Sequence, residues 1–512
     1  MKNKTHFLLF IIAAGLRLVG LAAADFWYDE NFTVILSRLP FGQMISATAG
    51  DTHPPLYYAL TWLISHTFGD SEIALRLPSA LLSLAGIWIA GQVVKSLGLS
   101  ERVQLITMGL MVFSPLQIHF AQEARMYTLL QVLVLSAVWG IINRRAWTVG
   151  LCNLGILYLH NYGVFYIPVL GIIFLIREWW QGWIWYLIKR PCGQSDPWLP
   201  TIRKLIGKSL FLGFILPGLV WLPWFYFGLL QQMEYVNGGY WIEPINFGSV
   251  IYCLYMLQVG FGVSELMQPL GVLVIMGLIA WSNWRTLTDR PTGWKLILVL
   301  AWGPLALAVA TSLIWKPVLL FRGLIGSAFG FILMFACSLE KIRPRKQLYA
   351  AVMVVPVLLA GMGGYYLYNP QNKGSVTDII QPVREAWQPG DVVYHINDGT
   401  AIGWGSYAPD LPQYKQPPCE QRTLGELTDQ TRTAAGIIER EFDTLGYFRR
   451  AWVVWSYGPT SSPCEAQNAE AIIGDRDPFR MDESEYVMAG IWLIELDDWQ
   501  PVTFSPSLLW IR

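Results

Sequence analysis

The feature that most constrains this chain is a succession of long apolar runs separated by short basic stretches. Apolar residues dominate 7–24, 77–97, 103–120, 126–142, 147–160, 163–177, 208–230, 266–282, 295–314, 318–338 and 347–367. Each comes near the roughly 20 residues with which an α-helix crosses a bilayer core. Backbone polar groups in lipid must be satisfied inside their own segment, so such a chain folds as a bundle of about 11 transmembrane helices. Composition agrees. Of the 512 residues, 54% are hydrophobic and 14% charged, against roughly a quarter charged in a soluble domain. The 25 Trp, 24 Phe and 23 Tyr suit headgroup depth, where an aromatic ring keeps one wet edge.

Basic residues set the orientation. Lys95 and Arg102, Arg144-Arg145, Lys189-Arg190 with Arg203-Lys204, then Arg285, Arg290 and Lys295, and finally Lys341, Arg343, Arg345 and Lys346 fall on one side if 248–264 lies at the interface and does not cross. That side is cytoplasmic, and so is the N-terminus. The outer segments are 25–76, 120–126, 160–163, 231–265, 314–318 and everything beyond about 369. The first run also reads as a cleaved leader ending at Ala22-Ala23-Ala24; either way residue 29 is outside. Leu56 to Phe68 reads as a helix along the membrane face.

After Asn369, charge and turn residues rise. Asp391–Ile396, Ala451–Tyr457 and Ile491–Leu496 read as buried strands, and Thr377–Trp387 and Thr431–Phe442 as helices. The expected organisation is a transmembrane domain over 1–368 and a soluble extracytoplasmic α/β domain over 369–512. A net charge of zero gives no footprint for nucleic acid. Of the six Cys, Cys152, Cys253 and Cys337 read as small core residues, whereas Cys419 and Cys464 can pair outside.

The candidate chemistry lies in the outer segments. Asp29-Glu30 follows the first apolar run, among Phe26, Trp27 and Tyr28; a carboxylate there can orient an acceptor and take its proton, or be only a wet loop acid. His53-Pro54-Pro55-Leu56-Tyr57-Tyr58 enters a helix, with His53 a ligand or a solvated turn residue. Glu123 and Arg125, two apart, cannot share a helix face, so each needs its own partner: one for the Asp29 loop, the other for a phosphate. Tyr127 closes that polar turn; in Tyr158-Leu159-His160-Asn161-Tyr162 the tyrosines read as an interfacial aromatic belt, with His160 and Asn161 lining a cavity. Lys316 and Arg322 open the tenth span; guanidinium holds phosphate through two hydrogen bonds, and the alternative is snorkelling to headgroups. Arg76 and Arg17 carry the same ambiguity.

With those residues placed, the chain resembles the family-39-like glycosyltransferases of the GT-C superfamily, which include protein O-mannosyltransferases and lipid A aminoarabinose transferases. The resemblance rests on Trp27-Tyr28-Asp29-Glu30, His53-Pro54-Pro55-Leu56-Tyr57-Tyr58, Arg76-Leu77-Pro78-Ser79, Ala121-Gln122-Glu123-Ala124-Arg125-Met126-Tyr127 and His160-Asn161-Tyr162, in the family's order. Further on, the family often has Arg-Tyr where this chain has Arg322-Gly323. The resemblance implies a polyprenyl-phosphate sugar donor, an extracytoplasmic site and inversion at the anomeric carbon. It makes Asp29 the match of the family's catalytic acid and Glu30 that of its acidic neighbour.

The reading that follows is a multi-pass enzyme of the plasma (inner) membrane that moves a sugar to a protein, lipid or glycan acceptor. Asp29 and Glu30 are its catalytic candidates. His53, Tyr57, Arg76, Glu123, Arg125, Tyr127, His160, Lys316 and Arg322 are its substrate-binding candidates. No cofactor is required; a divalent metal is compatible with the reaction but unsupported by ligand spacing. A transporter or flippase of lipid-linked sugars is the alternative, expected to show paired charges within spans and two related halves. A non-catalytic receptor or scaffold is the other.

Overall fold

The computed structural model describes residues 2–50, 52–180, 207–237, 242–260, 268–342, 355–366, 375–417, 428–457, 463–476, 480–484 and 487–496. Lys189-Arg190, Arg203-Lys204, Arg343, Arg345, Lys346 and Cys419 lie outside them. Cys464 is disulfide-bonded.

The first part is helical: α1 (Lys2–Leu18), α2 (Tyr28–Arg38), α3 (Phe41–Ala49), α4 (Leu56–Phe68), α5 (Glu72–Ser96), α6 (Glu101–Val112), α7 (Pro115–Ala121), α8 (Tyr127–Ile142), α9 (Ala146–Leu159) and α10 (Gly163–Trp180). Five helices among the described residues are long and apolar enough to cross a membrane alone: α5, Gly207–Glu234, Gln268–Asp289, Trp294–Ile314 and Phe321–Glu340. The run expected over 103–120 is not one straight span. It breaks into α6 and α7, bent by 59°. Pro115 forces the break, because its ring excludes the preceding residue from helical backbone, and Ser114 caps the new helix through Gln117 N. The bend frees carbonyls, and Arg17 takes them. Its guanidinium donates to Met111 O at 2.9 Å and Val112 O at 3.2 Å, and to Ser83 Oγ at 2.8 Å. Arg17 is therefore a buried cap, not a snorkelling side chain. Around the bundle, Trp88, Leu273 and Leu313 are exposed, as lipid-facing residues are.

The innermost helix is Phe321–Glu340, 89% buried over its most apolar stretch. Gly330 allows this: a Cβ there would stand 2.7 Å from the backbone nitrogen of Ala301 on the neighbouring helix. The N-terminal turn of this helix carries Arg322. Helices α2 and α4 pack through Phe32 and Tyr58, whose ring centroids are 5.9 Å apart and edge-to-face.

The C-terminal part is a six-stranded sheet, β1 (Asp391–His395), β2 (Gln413–Lys415), β3 (Ile437–Glu439), β4 (Arg450–Tyr457), β5 (Arg480–Ser484) and β6 (Val487–Glu495), in the order β3-β2-β1-β4-β6-β5. The first four are parallel, with Val393 opposite Trp452, and β6 runs antiparallel to β4 and β5. Every residue of β1 is buried, as in a parallel sheet covered on both faces. Thr431–Phe442 is not one helix. Helix Asp429–Ala434 stops at Gly436 (φ 72°), and Ile437-Ile438 turn into β3.

Candidate active site

The loop that carries Asp29 is fixed by a buried ion pair. Glu30, in the first turn of α2, accepts Arg76 Nε at 2.8 Å on one carboxylate oxygen and Arg76 Nη2 at 2.7 Å on the other. The same carboxylate takes the Ala124 N–H at 2.7 Å and the Trp27 N–H at 3.3 Å. Arg76 spends its remaining donors on the carbonyls of Leu21 and Ala24, both at 2.8 Å, and Asp25, at 2.9 Å. A guanidinium has five N–H groups, and all of them are used. Both side chains are fully buried. The structure thus places Glu30 and Arg76, named above as catalytic and substrate-binding candidates, in a buried pair whose polar atoms are engaged within the chain. Together they set the chain path into α2. Tyr57 is likewise enclosed, its hydroxyl 3.5 Å from Ser79 Oγ.

Asp29 points the other way. Its Oδ2 accepts Arg322 Nη1 at 2.6 Å, and the two side chains remain 21% and 17% exposed in otherwise buried surroundings. The Arg322 guanidinium stands 5.9 Å from the Trp27 ring centroid. Arg125 lies behind, donating through Nη1 to the Asp29 carbonyl at 3.2 Å, to Tyr58 Oη at 3.2 Å and to Thr33 Oγ1 at 3.4 Å. Of the two residues in the 121–127 motif, Arg125 is thus the one that holds the Asp29 loop. Burial alone would raise the Asp29 carboxyl, but Arg125, Arg322 and His53 together hold it below its usual range.

Glu123 is the contrasting carboxylate. Trp27 Nε1 donates to it at 3.1 Å, and His119 Nε2 stands 3.5 Å from its other oxygen. Burial first, then the charges of Glu30 and Asp29, push it up to about 8, against the lowering pull of Arg322 and Arg125. One carboxylate is held ionised and its neighbour is held protonated near neutrality.

The next ring of residues positions this pair. His160 meets His53 edge-to-face at 5.3 Å and Tyr127 at 6.1 Å between centroids. Its Nδ1 accepts the Tyr162 N–H at 3.0 Å, which leaves the proton of the neutral ring on Nε2. Burial, with His53, Arg125 and Arg322 nearby, keeps it neutral, far below the ordinary histidine range. Asn161 donates to Thr52 O and Gln232 Oε1, and Gln232 donates to Thr48 O and His53 O, so the His53 turn is pinned from two helices.

Arg322 is placed by two tyrosines. The Tyr162 hydroxyl donates to Val318 O and accepts the Leu320 N–H at 2.7 Å; Tyr166 donates to Gly323 O at 3.1 Å and accepts the Gly326 N–H at 3.0 Å. A Cβ on residue 323 would stand 2.8 Å from the Tyr162 ring, so glycine follows Arg322 because Tyr162 already occupies that space. Lys316 is half-buried and makes no hydrogen bond or ion pair among the described residues. The structure therefore gathers Asp29, Arg322, Arg125, Glu123, Tyr127, His53 and His160. Gln232 and Tyr166 are neighbours of this cluster that the sequence reading did not name, and Tyr162 was named only within the His160-Asn161-Tyr162 motif. The four-residue spacing of the two tyrosines on one helix face was the available signal. No group of three or more His, Cys, Asp or Glu among the described residues is arranged to hold a metal ion.

Residues 52–189 match the family model described as dolichyl-phosphate-mannose-protein mannosyltransferase. No curated protein matches the chain by sequence. Among solved structures, the fold is similar to ArnT from Cupriavidus metallidurans in the apo state, with a TM-score of 0.57 and 15% identity over 96% of this chain and 98% of that one. It is equally similar to the same protein bound to undecaprenyl phosphate, with a TM-score of 0.55 and 14% identity over 95% and 97%. The chain has the fold of this solved membrane protein, and residues 52–189 are similar to the mannosyltransferase family model.

Proposed function

We propose that this chain is an integral-membrane glycosyltransferase that moves a sugar from a polyprenyl-phosphate donor to an acceptor on the non-cytoplasmic side, with inversion. The observation that carries the reading is the Asp29–Arg322 pair, partly open within an otherwise dry cluster. The solved relative with undecaprenyl phosphate bound supports the class of donor.

Arg322 is the group to meet the donor phosphate. Negative charge grows on that phosphate as the glycosidic bond breaks, and a fixed cation in a dry site stabilises it most at that moment. A phosphate that draws Arg322 away also removes one of the cations holding Asp29 acidic. Asp29 then becomes a stronger base as the donor seats. It takes the proton of the acceptor hydroxyl or amine while that atom attacks the anomeric carbon from the face opposite the phosphate. Arg125, tied to the Asp29 carbonyl, keeps the carboxylate aimed.

The test is transfer of labelled sugar from polyprenyl phosphate in purified membranes, compared between the native chain and Asp29→Asn. Loss of labelled acceptor in the variant, with the protein still folded in the membrane, supports the reading. Equal labelling removes Asp29 from the chemistry. A flippase would instead move the lipid-linked sugar across vesicles without forming a new glycosidic bond.

A further inference from the structure

The Asp29 helix is held from a second side by the C-terminal α/β part. Tyr407 ends the helix Asp398–Tyr407. Its hydroxyl accepts the Phe26 N–H at 2.6 Å and donates to Glu72 Oε1 at 2.7 Å. Its ring lies 6.1 Å from that of Phe26, which also carries the Arg76 guanidinium 5.1 Å from its centroid. One residue earlier, Asp25 Oδ2 accepts Ser375 Oγ at 2.8 Å, Thr377 N at 2.8 Å and Thr377 Oγ1 at 2.9 Å. At the other end of α2, Arg38 donates to Gly405 O at 3.1 Å and Ser406 O at 2.9 Å. Between the two ends, Phe32, Ile35 and Leu36 share one apolar cluster with Ala401 and Ile402.

We propose that the C-terminal α/β part belongs to the working active site, with Tyr407 a positioning residue that sets Asp29 against Arg322 and Arg125. This rests on the reading of Asp29 as the reacting carboxylate. The stretch from Leu21 to Phe26 links α1 to α2 without a regular element, so its path is fixed only by what grips it. Arg76 grips it from the membrane helices, and Tyr407, Ser375 and Thr377 grip it from the opposite part. Without the Tyr407 hydroxyl the buried Phe26 N–H loses its acceptor, and the grip from the opposite part reaches no nearer to α2 than Asp25 at this end. Asp29 lies in that turn, facing Arg322, Arg125, His53 and the carboxyl of Glu123.

The experiment compares the full chain with Tyr407→Phe and, as a control, Tyr447→Phe on an exposed tyrosine of the same part. Amide hydrogen exchange over residues 26–38 and the pH profile of kcat are both read, with undecaprenyl phosphate as the binding probe. Tyr407→Phe is expected to speed exchange over 26–38 and to lower kcat by roughly 10- to 100-fold. It is expected to move the acid limb of the profile to higher pH, because Asp29 drifts from the cations that lower it, and to leave affinity for undecaprenyl phosphate unchanged. The control is expected to change none of these. Unchanged exchange over 26–38 overturns the proposal. So does a kcat that falls only with the folded fraction while the acid limb stays in place. A native chain that transfers no sugar fails the activity reading instead, and the exchange result alone then decides whether the clamp exists.

Discussion

Arg322 holds the Asp29 carboxylate at 2.6 Å across 293 residues of chain. The pair joins the first turn of α2 to the N-terminal turn of the innermost helix, so the partly open anion and cation of the cluster are set by one contact.

Asp29→Asn keeps the shape and the hydrogen bond to Arg322 but removes the base. Transfer of labelled sugar is expected to fall by about 10²- to 10⁴-fold, the usual contribution of a positioned general base. The melting temperature in detergent should stay near that of the native chain. Turnover within a few-fold of native would put the chemistry on another residue.

Arg322→Ala is expected to weaken donor use, read as a raised KM for polyprenyl-phosphate sugar with a lowered kcat. It should also shift the acid limb of kcat upward, since one of the cations that lowers Asp29 is gone. Arg17→Ala, which uncaps the α6–α7 bend, should instead lower the melting temperature. Equal losses of donor affinity in the two variants would reduce Arg322 to a packing role.

Glu30→Gln breaks a fully buried pair whose partner has no other counter-charge within hydrogen-bond reach. The expected cost is roughly 3–5 kcal/mol, seen as a lower melting temperature. KM for the donor in the surviving folded fraction should be native. A changed KM with unchanged stability would return Glu30 to the substrate.

Gly323→Ala pushes a methyl toward the Tyr162 ring. Overpacking of this kind costs roughly 1–3 kcal/mol, and here it bears on the turn that carries Arg322, so kcat should fall with stability. Gly218→Ala, where a Cβ meets nothing within 4 Å, is the matched control and should do neither.

Glu123 makes stability depend on pH in the direction opposite to Asp29. Its folded-state value of about 8 lies above the ordinary glutamate value of 4.5, so between them the folded chain binds the extra proton. Stability contributed by this group is full below the lower value and is lost as pH rises through the upper one. Melting temperatures of the native chain should therefore drop across that window relative to Glu123→Gln. Parallel curves would show Glu123 ionised throughout.

Much of the fold was legible because hydropathy and β-branched runs report burial directly: the apolar runs became helices, and Asp391–His395 became a covered strand. The break at Pro115 was written in the sequence but lay hidden inside an apolar run. The roles within the outer loop were less legible. Asp29 and Glu30 are adjacent acids, and only the turn of α2 sends one into the Arg76 clamp and the other toward Arg322. Tyr162 read as an interfacial aromatic and Tyr166 was not singled out, because nothing in their own neighbourhood announces a backbone segment more than 150 residues away.

The grip of Gly405 and Ser406 on Arg38 has a consequence for biosynthesis. Gly405 and Ser406 are synthesised 367 and 368 residues after Arg38. A nascent copy that has not reached residue 405 therefore carries α2 with its C-terminal end unheld by the α/β part.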